Sequence, residues 1–284
     1  MNSVLSPEID PGNAAHTYGC EGVLVCTPAD NQSHPPYQGW LITDDGEHPV
    51  TCWVDLPLFS NPWLVDKVRA VFMRLPDGTL VVVRVDLDES IDPLAVKPAH
   101  LCPIPSTVDA VRDLVERITT PELRRLVQDV LSLRKVFDAF WTSTAGSRHH
   151  TYPGGLARHS VEVASRVNHV MASPQLRQVN FTVIECEIAL VTALLHDVGK
   201  TISYGPRGFC NERALVMGHD LLGLELIRPP MDALRDVRPD LADALSTLLL
   251  SRTRFTCGPY RLEAIREVIS HADRASVAKD QARR

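Results

Sequence analysis

From about residue 16 to 90 the chain carries short apolar runs separated by polar clusters. GCEGVLVCT at 19–27, QGWLITD at 38–44 and HPVTCWVDL at 48–56 are rich in Val, Ile, Trp and Thr, the composition of strands between turns. LVDKVRAVFMRL at 64–75 and TLVVVRVDL at 79–87 flank Pro76-Asp77-Gly78, which predicts a hairpin. Five strands at this spacing predict a small barrel or curled sheet. Residues 1–15 hold Pro and Gly with little periodicity and predict a flexible arm.

The texture changes after AVKPAHLCPIPST at 95–107, whose three prolines read as a linker. Thr120-Pro121-Glu122 places a capping residue before a proline at the first helical position. It opens an amphipathic run through LRRLVQDVLSLRKVFDAFW, and further helical patterns cover 155–172, 182–198, 212–227, 239–251 and 259–278. A chain of 284 residues suits two domains. The predicted organisation is an arm over 1–15, a β-rich module and linker over 16–105, and a helical domain over 106–284. The fold class is mainly α with a smaller N-terminal β module.

No apolar run approaches the roughly 20 residues of a membrane span, and the N-terminus lacks the pattern of a cleaved signal peptide. The expected compartment is cytoplasmic. Seven scattered cysteines without a CxxC pair predict reduced, mostly buried thiols. Charge is unevenly shared. Residues 1–105 carry five Lys or Arg against fourteen Asp or Glu, a balance of −9, which leaves +3 for the rest of a chain totalling −6. An acidic module is a poor surface for a polyanion, because Lys and Arg supply most of nucleic-acid affinity. Trp40, Trp53, Trp63 and Phe72 could stack on bases, but aromatics in short strands more commonly belong to a core. The basic residues near them are only Lys67, Arg69, Arg74 and Arg84, so the module is expected to bind single strands weakly and to contact protein or shape access to a site.

Chemistry concentrates in the helical part, which holds seven of the eleven histidines. The informative segments are HHTYPGGLARHS at 149–160, LLHDVGK at 194–200, VMGHD at 216–220 and SHADRASV at 270–277. Neutral imidazoles and ionised carboxylates are the usual ligands of a divalent transition metal. His196 and Asp197, adjacent at a helix end, diverge by about 100° and can grip one ion from two directions or let the carboxylate bridge two. His159 alone reads as a core histidine, and Asp273 alone as a surface carboxylate. The combination in this order points to a metal site. His149 and His150 are candidates for phosphate contact or a second ion, and Lys200 for phosphate contact. His271, two residues before Asp273, faces away from it on a helix.

These segments resemble the HD superfamily of metal-dependent phosphohydrolases over about residues 120–280. The resemblance implies a helical bundle with metal ligands at His159, His196, Asp197, His219 and Asp273, and with Asp197 and Lys200 in catalysis. The HH-x-Y-x-GGL-x-x-H block with LLHDVGK is similar to two HD subgroups. One is the 3′→5′ exoribonucleases that place an OB-fold before the HD domain, which the five strands here resemble in arrangement, with PLFSNPW where a helix often stands. The other is the histidine-motif relaxases of conjugative elements, which ADRASV also resembles. After Gly218-His219, the exonucleases carry a Ser-His-His-Gly stretch where this chain has Ser251-Arg252-Thr253-Arg254. Three alternatives follow: a single ion, a second ion held by fewer protein ligands, or Arg252 as a fixed charge that binds phosphate bidentately.

The expected function is therefore metal-dependent phosphohydrolysis, by a nuclease or phosphodiesterase acting on single-stranded nucleic acid. The alternatives are a small-nucleotide hydrolase, or a catalytically silent HD interaction module of a mobile-element or regulatory system. The ligand mixture admits manganese, iron, nickel, cobalt or zinc, as one ion or two. Expected partners are a nucleic acid or nucleotide substrate, with a protein contact through the acidic module and a homo-oligomer both open.

Overall fold

The computed structural model describes residues 7–8, 17–27, 36–43, 45–54, 63–88, 90–92, 94, 102–173, 181–204, 210–250 and 258–283. The chain divides into two compact units, 1–100 and 101–284.

The first unit is a sheet of β1 (Pro7–Glu8), β2 (Thr17–Thr27), β3 (Tyr37–Ile42), β4 (Glu47–Cys52), β5 (Asp66–Arg74) and β6 (Leu80–Leu87). β2 pairs with both β3 and β5, so the order β2-β3-β4-β6-β5 closes on itself as a five-strand barrel. All of its pairings are antiparallel except β4 with β6. Leu24, Leu41, Val50, Val68, Phe72 and Val82 fill the interior, as alternation along strands with one buried face requires. The expected hairpin turn is present, with Leu75 N donating to Thr79 O at 2.8 Å and Gly78 N to Leu75 O at 2.9 Å.

Three expectations are corrected here. The arm contributes a strand, since Pro7 and Glu8 pair with Tyr18 and Thr17 of β2. Of the four aromatics weighed as core, Phe72 is buried, but Trp40, Trp53 and Trp63 are 48%, 61% and 57% exposed. The stretch read as a linker starts a helix at Pro105, and the two units divide after residue 100 rather than 105. Most of PLFSNPW lies outside the described residues.

The second unit is helical: α1 (Pro105–Glu116), α2 (Pro121–Leu131), α3 (Arg134–Phe137), α4 (Ala139–Thr142), α5 (Gly155–Met171), α6 (Val183–Leu195), α7 (Lys200–Ser203), α8 (Glu212–Leu226), α9 (Arg228–Val237), α10 (Pro239–Leu249) and α11 (Leu262–Gln281). The run expected as one helix from Thr120 to Trp141 is three. Ser132 Oγ donates back to Gln128 O at 2.6 Å and Leu133 turns extended, which ends α2.

α6 is apolar on nearly every side and lies at the centre, against α2, α5, α10 and α11. Two buried glutamates on it tie those neighbours down. Glu185 completes a capping box with Thr182 and also accepts from Arg261 N, Nε and Nη2 at 2.8, 3.0 and 2.6 Å, at the start of α11. Glu187 accepts from Thr119 N and Oγ1, each at 2.6 Å, and from Thr120 N at 3.2 Å, fixing the turn that leads into α2. Thus α6, which leads into His196-Asp197, is anchored by the Glu185 carboxylate to the helix that carries Asp273. Among the described residues, no helix is long and apolar enough to cross a membrane.

Candidate metal centre

Four elements converge at the C-terminal end of α6. His196 is the C-cap of α6, and Asp197 follows in the turn to α7. His159 lies on α5, Asp273 on α11, and His219 on α8 just after a kink where Gly218 adopts φ +79°. α8 approaches because residue 199 is glycine. A Cβ there would stand 2.0 Å from His219 O and 2.6 Å from Gly223 N, both backbone atoms.

His159 is fully buried, and its Nε2 lies 3.1 Å from Asp273 Oδ1 and 3.3 Å from Asp197 Oδ2. His196 Nε2 lies 3.4 Å from the same Asp197 oxygen, while its Nδ1 meets Ala193 O at 2.9 Å, which makes Nδ1 the protonated nitrogen. Asp197 presents its other oxygen, Oδ1, to His219 Nε2 at 3.3 Å. His219 Nε2 also pairs with Asp220 Oδ1 at 3.0 Å. Among the described residues, the buried Nε2 atoms of His159 and His196 make no hydrogen bond. The carboxylate oxygens stand beside them at contact distance but off the line of an N–H. Ligand atoms of His159, His196 and Asp273 all fall within 4.8 Å of one another. Two buried imidazole nitrogens left unbonded beside two carboxylates are a donor set that fits a divalent transition metal.

The charges reinforce one another. Burial would raise the Asp197 carboxyl, but His196, Lys200, His159 and His219 overcome it and hold the group well below the usual carboxylate range. Burial likewise opposes protonation of His159, yet Asp197 and Asp273 push its ring up to about 9. Hydrogen bonding to Asp197 and Asp220 pushes His219 up to about 9. Burial, assisted by the charge on Lys200, brings His149 down to about 4.

Lys200 is not a surface lysine. It is buried, and its Nζ donates to Asp197 Oδ2 at 2.6 Å, so its charge is already engaged. His149 is half-buried, its ring 4.9 Å from that of His159. His150 is buried at a φ of +45°. Asp280 Oδ2 accepts from its backbone N–H at 2.8 Å, and Gly155 permits the close approach, since a Cβ there would meet His150 O at 2.0 Å. Its Nε2 lies 3.5 Å from Glu162 Oε2. His149, His150 and His159 form a second group with ligand atoms within 4.8 Å of one another. Arg252 lies outside the described residues.

The cluster is closed at His159 and Asp197 and open at Asp273 and His219, whose side chains are 39% and 38% exposed. Sequence reasoning did not single out Glu162, Ser276, Asp220 or Asp280, although Glu162 and Ser276 each stand three residues beyond a named ligand, one helical turn along. No known protein family, curated protein or solved structure matches the chain.

Proposed function

We propose that this chain is a metal-dependent phosphohydrolase of the HD type that cleaves phosphodiester bonds, with single-stranded nucleic acid as the substrate class. One observation carries the reading: the two buried, unbonded imidazole nitrogens of His159 and His196 converge on the carboxylates of Asp197 and Asp273. A divalent cation held by these residues would activate water near neutral pH and neutralise charge gathering on the phosphoryl oxygens.

The chain's own groups divide the remaining work. Asp197 faces His159 and His196 with one oxygen and His219 with the other, which suits it to serve one ion or bridge two. Lys200 keeps that carboxylate ionised and fixed. His196 is oriented by Ala193 O. His149, neutral at physiological pH, can accept a hydrogen bond beside the cluster, and His219 and Asp220 flank the open side from which a phosphodiester would enter.

The full-length protein, supplied in turn with manganese, iron, nickel, cobalt or zinc, should cleave bis(p-nitrophenyl) phosphate and shorten a labelled single-stranded oligonucleotide. Hydrolysis of mononucleotides with the oligonucleotide left intact would favour the small-nucleotide alternative. A lack of turnover on every substrate with every metal would overturn the proposal and leave the silent interaction module.

A further inference from the structure

His159 meets the cluster through Nε2, so its other nitrogen decides whether that atom can serve as a ligand. Nδ1 lies 3.1 Å from Ser276 Oγ, and Ser276 Oγ in turn donates to Glu162 Oε2 at 3.0 Å. All three groups are buried or nearly so; Ser276 is 4% exposed and the Glu162 side chain 9%. The direction of the chain of hydrogen bonds follows from what each group can do. An ionised carboxylate only accepts, so the single hydroxyl proton of Ser276 is committed to Glu162. Its lone pairs are then left to accept from Nδ1–H of His159, so Nε2 is the nitrogen that gives up its proton when an ion binds.

Glu162 is held in place from both helices. Lys279 Nζ donates to its Oε1 at 2.9 Å and Arg158 Nε lies 3.3 Å from the same oxygen, while His150 Nε2 lies 3.5 Å from Oε2. The arrangement repeats with the helical turn. α5 supplies His159 and, three residues on, Glu162; α11 supplies Asp273 and, three residues on, Ser276. The helix pair that presents two ligands therefore also presents, one turn away, the two groups that orient one of them.

We propose that Ser276 and Glu162 are positioning residues that fix His159 as the Nδ1–H form and so make its Nε2 a metal ligand. The proposal rests on the reading of His159 as a ligand. Outer partners of this kind, when removed, typically weaken metal binding about 10–100-fold.

The test uses the full chain with Ser276→Ala, which removes one buried hydroxyl, and Ser276→Thr, which restores it. Zinc affinity should fall about 10-fold or more in S276A and stay within about threefold of the parent in S276T, each measured well below its metal-free melting temperature. A purely structural role would instead lower the metal-free melting temperature of S276A and leave its zinc affinity at the parental value. Imidazole proton–nitrogen spectra give a readout that does not depend on metal. The metal-free parent and S276T should show a His159 Nδ1–H proton protected from exchange, and S276A should lose that protection. Were the parent to bind no zinc, the reading of the site would fail while the spectra still decided the orientation. An unprotected Nδ1 in the parent, or parental zinc affinity in S276A, would overturn the proposal.

Discussion

Asp197 meets two demands at once, facing three histidines and neutralising a buried lysine. Truncating it to alanine would strand the Lys200 ammonium, and breaking a buried pair from one side costs about 3–5 kcal/mol. Asp197→Asn is the cleaner variant, because the amide oxygen still accepts from Lys200 while the negative charge is gone. It should keep the helical circular-dichroism spectrum, lose metal and lose phosphodiesterase activity by about 100-fold or more. Normal hydrolysis by D197N would rule the site out. The residues of this centre were legible in sequence because His, His-Asp and Asp fall within short recognisable blocks. Glu162 and Ser276 were not, since each is an ordinary polar residue on an amphipathic helix until α5 and α11 pack together. The burial of Lys200 and its pairing with Asp197 were not legible, because chain position reveals neither.

At the scale of elements, helix positions followed from periodicity, and the five patterns after Trp141 reappear as α5, α6, α8, α10 and α11 with ends shifted by a few residues. Breaks between α2, α3 and α4 were less legible, because a back-bonded serine and an extended leucine leave the apolar pattern intact. The pin between α6 and α11 was invisible for another reason: Glu185 and Arg261 are 76 residues apart. Arg261 holds the Glu185 carboxyl below its usual range, down to about 2, with further help from Thr182. A carboxylate whose folded value is depressed stabilises fully above its unfolded value, near 4.5, and that contribution disappears as the pH falls towards 2. Glu185→Gln should therefore cost about 2 kcal/mol in denaturant titrations at pH 7. The gap between variant and parent should close between pH 4.5 and 2. A gap independent of pH would show that the ion pair is not its source.

For the whole molecule, the five strands and their hairpin were legible from alternation, but exposure of Trp40, Trp53 and Trp63 was not, because a strand pattern does not say which aromatics face out. Those rings revive the possibility of base stacking, yet the local charge still opposes it. Arg69 is paired with Glu21 and Asp88, and Arg84 with Asp86. The full chain with Trp40→Ala and Trp53→Ala should bind a labelled single strand as the parent does at low and moderate salt, within about twofold. A loss of about 10-fold or more per ring would make the barrel a stacking platform. The proposed chemistry of this chain requires the buried histidine and aspartate cluster to hold an ion. Elemental analysis of the full-length protein, both as purified and after metal reconstitution, tests this most directly. Between about one and two equivalents of a divalent transition metal per chain are predicted, falling sharply in D197N. Less than about a tenth of an equivalent in both preparations of the parent would contradict it.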